Sequence, residues 1–280
     1  MGIYTEYNGS SKVVSVGVVQ TLSFTPSDLS NNGILAFHFS YTGAGNQLST
    51  TSRVRVKASG STIWETSMFQ LRSYIQSCSP FNLAMADADV TFTIPFRILR
   101  PWGLDRMPNW MTASQFPVGA QPAVEIVTTT GAVAGTIVAG WTWTDEPAVM
   151  YPRMLANALN IAASSNSARY NLNLPGEVFG IITPTEGVDQ FRLTLSGRVV
   201  HHLPGPQFGG ASVNLLNEHQ RMFGGNATAA TASPDGDPLY VPVLAGLPAA
   251  EGSSYLEYFT GAAWNGAANE AVIHELVPVR

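Results

Sequence analysis

Residues 53–78 read RVRVKASGSTIWETSMFQLRSYIQSC, and two different periods run through them. Arg53, Arg55 and Lys57 alternate with Val54, Val56 and Ala58, which puts charge on one face of a strand and apolar groups on the other. Ser59-Gly60-Ser61 interrupts the run and Thr62-Ile63-Trp64 resumes it, so the spacing predicts two strands joined by a tight glycine turn. After Glu65 the period changes. Met68, Leu71, Ile75 and Cys78 recur at spacings of three and four, one face of a short amphipathic helix. The unit is therefore strand, turn, strand, helix.

A weaker copy lies further on, in FRLTLSGRVVHHLPGPQFGGASVNLLNEHQRMFGG over 191–225. Phe191, Leu193 and Leu195 alternate with Arg192 and Thr194, Ser196-Gly197 makes the turn, and Val199-Val200-His201 resumes the strand. A Pro/Gly insertion over 203–210 precedes a second helical pattern, in which Val213, Leu216, Gln220 and Phe223 are spaced by three and four. Gly60 and Gly197 stand about half a chain apart, and the economical explanation is two similar domains in tandem, 1–150 and 151–280.

The remaining chain reads as extended segments separated by turns. Residues 12–25 and 33–42 are the first strands, with Phe37, Phe39 and Tyr41 sharing a face. Val90, Phe92, Ile94 and Phe96 alternate in the next, where Pro95 implies an edge or a bulge because it cannot donate to a ladder. Residues 121–130 and 134–144 read as an antiparallel pair around Thr130-Gly131, and 151–163 has a helical look. Tyr170, Leu172 and Leu174 alternate with Asn171 and Asn173. Strands over 178–183, 239–244, 254–260 and 271–279 complete the pattern. The excursions 99–120, with Trp102 and Trp110, and 203–210, with Phe208, are long for hairpin connections and are expected to be ordered and packed at barrel ends or subunit joints. About four extended segments precede the helix of each half and three or more follow it. The fold class is all-β: two tandem eight-stranded antiparallel jelly-roll barrels, each with one short helix.

Composition narrows the function. The 280 residues carry 26 Gly and 18 Pro, and only 12% are charged, against roughly 25% in average proteins. The outward strand positions read largely as Thr, Ser, Asn and Ala, and such neutral walls suit lateral packing in an obligate oligomer, a trimer above all. A net charge of −5 and a pI near 5.5, with no cluster of adjacent Lys or Arg larger than a pair, give no electrostatic reason to bind nucleic acid. Cys78 is a single cysteine on an apolar helix face, which reads as a buried thiol rather than a nucleophile and excludes an intrachain disulfide. The start MGIYTEYNGSSK lacks the regions of a signal peptide, Glu6 stands where a myristoylation motif needs Ser or Thr, and no apolar run reaches the length of a membrane span. The expectation is a protein made and assembled in a cytoplasm without processing.

No motif carries chemistry. His201-His202 are adjacent on a strand and point to opposite faces, so they do not converge on one ion. Asp235, Asp237, Asp87 and Asp89 lack the ligand count of a calcium loop and fit turn chemistry. His274-Glu275 lacks the second histidine of a zincin, and no nucleophile elbow, phosphate loop or dinucleotide fingerprint is present. The expectation is no catalytic residue, no metal ligand and no cofactor. Two readings remain beside a structural one. A glycosidase-type enzyme would draw its carboxylate pair from Glu125, Glu177, Glu257 and Asp189, each of which also reads as a solvated strand residue. A carbohydrate-binding or adhesin module would use Trp102, Trp110 and Trp264 as a platform, though loop-core packing or subunit contact explains them better.

Taken together, the pattern resembles the double jelly-roll major capsid proteins of tailless, internal-membrane-containing icosahedral bacteriophages, the compact corticovirus-like type. The segment SRVRVKASGSTIWETSMFQLRSYI carries most of the resemblance: capsid proteins of that type similarly place a strand, a glycine turn, a short strand and a Leu-rich helix early in the first barrel. The insertion at 203–210 and the small-residue tail from Gly224 depart from it. The resemblance implies a structural virion protein that forms homotrimers of pseudo-hexagonal outline. Its partners would be neighbouring capsomers, minor or vertex proteins, and a membrane vesicle beneath. It implies no enzymatic activity and no cofactor.

Overall fold

The structure is a computed structural model that describes residues 3–7, 11–25, 33–42, 52–58, 60–67, 70–71, 74, 89–95, 97–98, 112–113, 122–128, 134–144, 150–159, 166–184, 188–204, 239–260 and 270–278. The chain divides into two compact units: unit 1 comprises Met1–Ile75, Leu83–Met154 and Pro278–Arg280, and unit 2 comprises Gln76–Asn82 and Leu155–Val277.

The strands up to the end of unit 1 are β1 (Ile3–Tyr7), β2 (Lys12–Val14), β3 (Gln20–Phe24), β4 (Gly33–Thr42), β5 (Arg53–Ala58), β6 (Ser61–Ser67), β7 (Asp89–Pro95), β8 (Arg97–Ile98), β9 (Thr112–Ala113), β10 (Pro122–Thr128), β11 (Gly135–Thr144) and the first part of β12 (Met150–Ala158). They form two main sheets. One has the order β1-β11-β4-β7, with β2 also on β11; the other runs β6-β5-β10-β3. β7 is an edge strand, as Pro95 at its end requires. The alternation in β5 is realised, with Val54, Val56 and Ala58 buried and Arg53, Arg55 and Lys57 half-exposed. Gly60 sits at φ +82 in the turn, where only glycine is free of strain. Phe37, Phe39 and Tyr41 of β4 are buried on the same face, and Phe39 meets Phe24 of β3 edge to face at 6.4 Å, joining the two sheets through one core. The Tyr41 ring covers Gly135 so closely that a Cβ there would run into it.

At the end of β6 the period changes for a local reason. Ser67 Oγ accepts from Gln70 N at 3.1 Å and Gln70 Oε1 accepts from Ser67 N at 2.8 Å, a reciprocal capping box. Gln70, Leu71 and Tyr74 are helical and buried, and Tyr74 packs edge to face on Trp64 at 5.7 Å. Met68, Ile75 and Cys78 lie outside the described residues.

Four expectations are corrected. Residues 12–25 are not one strand: the chain turns at Gly17, φ +66, so that β2 pairs with β11 in one sheet and β3 with β10 in the other. Residues 121–130 and 134–144 do not pair with each other, because β10 lies between β3 and β5 while β11 lies between β1 and β4. The segment 151–163 is not helical up to Leu159. Pro152 and Met154 are buried while Tyr151 and Arg153 are not, a period of two, and tertiary pairing overrides the helix preference of Met, Leu and Ala. That pairing, Met154 with Trp64, is parallel rather than antiparallel.

Unit 2 contains the rest of β12, β13 (Ser167–Asn171), β14 (Glu177–Thr183), β15 (Gln190–Leu195), β16 (Arg198–Pro204), β17 (Leu239–Pro248), β18 (Tyr255–Phe259) and β19 (Glu270–Pro278). One sheet has the order β13-β18-β15-β16, and β17, β14 and β19 lie side by side in the other. Their facing residues make the core: Phe191, Leu193, Leu256 and Tyr258 from the first, Val178, Ile181, Val241 and Ile273 from the second. The expected hairpin is present. Ser196 at φ 47 and Gly197 at φ 75 form its two-residue turn, the left-handed pair that matches strand twist. Pro248 O accepts from Ser196 Oγ at 2.7 Å and Ser253 O from Gly197 N at 2.7 Å, which fixes the turn against the β17–β18 connection. The predicted helix over 213–223 lies outside the described residues.

Candidate functional site

The surface features that could serve a function are the outer faces of the sheets, and in unit 1 these differ. On the face of β6-β5-β10-β3 the alternation of β5 projects Arg53, Arg55 and Lys57 in one row, and the register brings acids from neighbouring strands to meet it. Arg53 and Arg55 both reach Glu65 Oε1, at 3.3 and 3.2 Å, because Arg55 pairs directly with Glu65 across the β5–β6 ladder. Lys57 reaches Glu125 of β10 at 2.9 Å, and Ser23 of β3 donates to the same carboxylate at 3.5 Å. Lys12 donates to Ser23 O and lies over the Phe24 ring at 5.1 Å. This wall is charged, as the alternation in β5 predicts, and stands apart from the largely neutral outward positions expected along the other strands.

On β4 and β11 of the other sheet the outward positions are neutral, as expected. Among the residues whose burial is described, the partly buried and exposed positions of β4 and β11 are Ala36, His38, Ser40, Thr42, Thr136, Val138, Thr142 and Trp143. His38 Nε2 and Thr142 Oγ1 share a hydrogen bond of 2.7 Å, and Thr142 Oγ1 is 3.1 Å from Thr5 Oγ1 of β1. Partial burial lowers the His38 pKa below its ordinary value and favours the neutral ring.

In unit 2 the outer face of β15 and β18 repeats the ion-pair theme more sparsely. Arg192 reaches Glu257 at 3.3 Å, directly across the ladder, and the Arg169 guanidinium lies 3.6 Å over the Tyr255 ring. A polar group is buried in the other sheet: Tyr240 Oη lies 2.9 Å from His274 Nδ1 and covers Gly180, where a Cβ would meet the phenol. Burial pushes His274 down to about 3, so the ring is neutral at physiological pH. Its neighbour Glu275, also buried, accepts from Gly176 N at 3.3 Å.

The remaining candidates fall as follows. His201 is half-buried and His202 exposed, on opposite faces of β16, and His202 shares a hydrogen bond with Gln190. Glu125 and Glu257 stand in the ion pairs just described; Glu177 and Asp189 are exposed. Asp89 begins β7. Asp87, Asp235, Asp237, Trp102, Trp110, Trp264 and Phe208 lie outside the described residues, as do 99–120 apart from β9 and 203–210 apart from the end of β16. Among the described residues no three His, Cys, Asp or Glu side chains form a group that could hold a metal ion. The feature that sequence reading missed is the cross-strand neutralisation of the β5 row. Its partners come from positions 10 to 68 residues away, and only the register brings them together.

Comparison with known proteins gives the fold. No family model and no curated protein matches the chain. Among solved structures, the major capsid protein P2 from bacteriophage PM2 superposes with a TM-score of 0.63 at 11% identity, over 97% of this chain and 98% of that one. The STIV MCP superposes with a TM-score of 0.65 at 12% identity, over 100% and 97%. A chain from the atomic structure of Sulfolobus Turreted Icosahedral Virus does so with a TM-score of 0.57 at 11% identity, over 99% and 91%. The chain is nearly all-β and has the double jelly-roll fold of these capsid proteins.

Proposed function

We propose that the chain is the structural subunit of an icosahedral viral shell, a major capsid protein that acts through contacts with copies of itself and not through catalysis. The observation that carries this reading is similarity along the whole length: three solved structures of capsid proteins align over at least 97% of this chain, so both halves of the fold are shared. Residues 1–150 and 151–280 are its two barrels, a division within a few residues of the passage from unit 1 to unit 2 at Met154. Three copies around a threefold axis supply six barrels and a pseudo-hexagonal outline that tiles a closed lattice. The neutral wall of β4 and β11 supports lateral packing, since its Thr, Ser and Ala side chains bring little charge to desolvate. Minor or vertex proteins and an underlying membrane are the further partners. The protein works in the virion and is assembled in the host cytoplasm.

A glycosidase or a sugar-binding module has less support. Lys57 and Arg192 engage two of the four carboxylates considered for catalysis. Native mass measurement at micromolar concentration, with electron microscopy of the same material, tests the proposal. Trimers and closed particles are expected; a stable monomer with hydrated walls overturns it.

A further inference from the structure

We infer that the crossover from β2 to β3 is an apolar docking tip, covered by a second copy of this chain and carrying much of the contact through its valines. The inference deepens the capsid-subunit reading and rests on it. Among the described residues five large apolar side chains stand exposed. Four of them lie in the short stretch from β2 to β3: Val13, Val16, Val18 and Val19, at 58%, 45%, 59% and 68% of full exposure. The pleat and the turn put them there. Val14 takes the inward position of β2, so Val13 faces out. Residues 15–19 then carry the chain from one sheet to the other through Gly17 at φ +66, and the next inward positions belong to Leu22 and Phe24.

The tip is held at its base from both sides. From β3, Gln20 Nε2 donates to Val13 O at 2.6 Å; from β2, Lys12 Nζ donates to Ser23 O. Each strand therefore grips the other's backbone through a side chain, at the corner where β2 and β3 border their two sheets. With those carbonyls engaged, the corner offers a neighbour its side chains rather than a bare strand edge. A surface fixed before binding also loses little conformational freedom on docking.

Three observations point to a copy of the same chain as the occupant. The tip is continuous with the neutral wall: Val13 pairs with Thr136 of β11, and the half-buried Val138 follows on the same face of that strand. Its chemistry does not suit a lipid surface. Lys12 is the single charge between Tyr7 and Ser27 and is engaged by Ser23 O and the Phe24 ring, while Phe24, the single aromatic residue over 11–25, is buried. Loops that rest in a membrane interface present aromatic rings and cations. Finally, every copy carries a tip. A partner present in fewer copies would leave most tips in water, whereas a neighbour of the same kind covers them all.

The test follows association of the full-length protein by sedimentation velocity and uses a matched pair of valines. Val18 and Val199 are equally exposed, 59% and 58%, one on the tip and the other on β16 of unit 2. Val18→Ser is expected to weaken association about tenfold and Val199→Ser less than about twofold, while Val16→Ser/Val18→Ser/Val19→Ser weakens it about a hundredfold. All are changes at exposed positions, so circular dichroism and urea midpoints should stay near those of the wild type. Association of the triple variant equal to that of the wild type, or an equal loss from Val18→Ser and Val199→Ser, overturns the docking tip while the capsid reading stands. Flotation of the wild type but not the triple variant with vesicles of phosphatidylglycerol and phosphatidylcholine assigns the tip to lipid and overturns the second copy as its occupant. A wild-type protein that stays monomeric overturns both readings.

Discussion

The two outer walls of unit 1 are built by the same pleat and carry opposite chemistry. On β5 every second residue is a cation, and the register supplies Glu65 and Glu125 to meet it. On β4 and β11 the same positions hold Ala36, Ser40, Thr42, Thr136 and Thr142, with His38 kept neutral by partial burial. A low overall charge therefore does not mean charge spread thinly. It is gathered on the face of β5 and β10, whereas the outer positions described on β4 and β11 carry none, and a neighbour can cover that stretch at little desolvation cost.

The strongest way to break this contrast is to put a charge on the neutral wall. Val138→Asp, at a partly exposed position of β11, is expected to weaken association about a hundredfold or more, since a carboxylate buried without a partner costs several kcal/mol. The monomer should fold as before. Unchanged association, read by native mass measurement, would show that this wall is not a contact face.

Protons offer a second way. His38 on the neutral wall and His274 in unit 2 both have lowered pKa values, His274 to about 3. Between pH 6.5 and 3 the unfolded chain binds a proton that folded His274 refuses. Its contribution to stability is therefore complete above about 6.5 and falls as the pH drops through that window, by up to about 1.4 kcal/mol per pH unit. Urea midpoints at pH 7, 5.5 and 4.5 should show a shallower fall for His274→Gln, even if that variant is less stable at pH 7. His38 acts in the same direction, and its protonation would also charge the wall.

Smaller changes compare how each wall is held together. Thr142→Val removes the hydroxyl shared by His38 and Thr5 and should cost about 1 kcal/mol in chemical denaturation. Glu65→Gln takes the charge from the acceptor of two arginines at the half-exposed surface; screening there limits the loss to about 0.5 kcal/mol. If the order of these two is reversed, the charged wall depends on its ion pairs more than solvent exposure allows.

Much of this was legible in the sequence where the information is local. The runs 53–67 and 191–201 gave both hairpins because alternation and a Ser-Gly turn lie within a few residues of each other, and the alternation also identified the buried faces of β4 and β15. What was not legible is which strand lies beside which. Nothing near Gly17 says that the chain leaves one sheet for the other, and the short interval 129–134 reads as a hairpin loop although the strands on either side belong to different sheets. The segment 151–163 misled because Met, Leu and Ala favour helices while Pro152 and the partner strand favour extension. The charged wall was visible as the row in β5 but lost in an average over the composition.

The first strand of the chain completes a sheet whose last strand is far from it: Ile3 pairs with Thr144 and Tyr7 with Gly140. During synthesis at roughly 5–20 residues per second, β1 waits on the order of ten seconds for that partner to leave the ribosome. Until β11 arrives, β4 also has one bare edge, a template for pairing with any strand nearby. On a polysome the nearest strands belong to identical nascent chains. The order in which strands leave the ribosome, and not only the stability of the finished protein, therefore decides which strands can first meet.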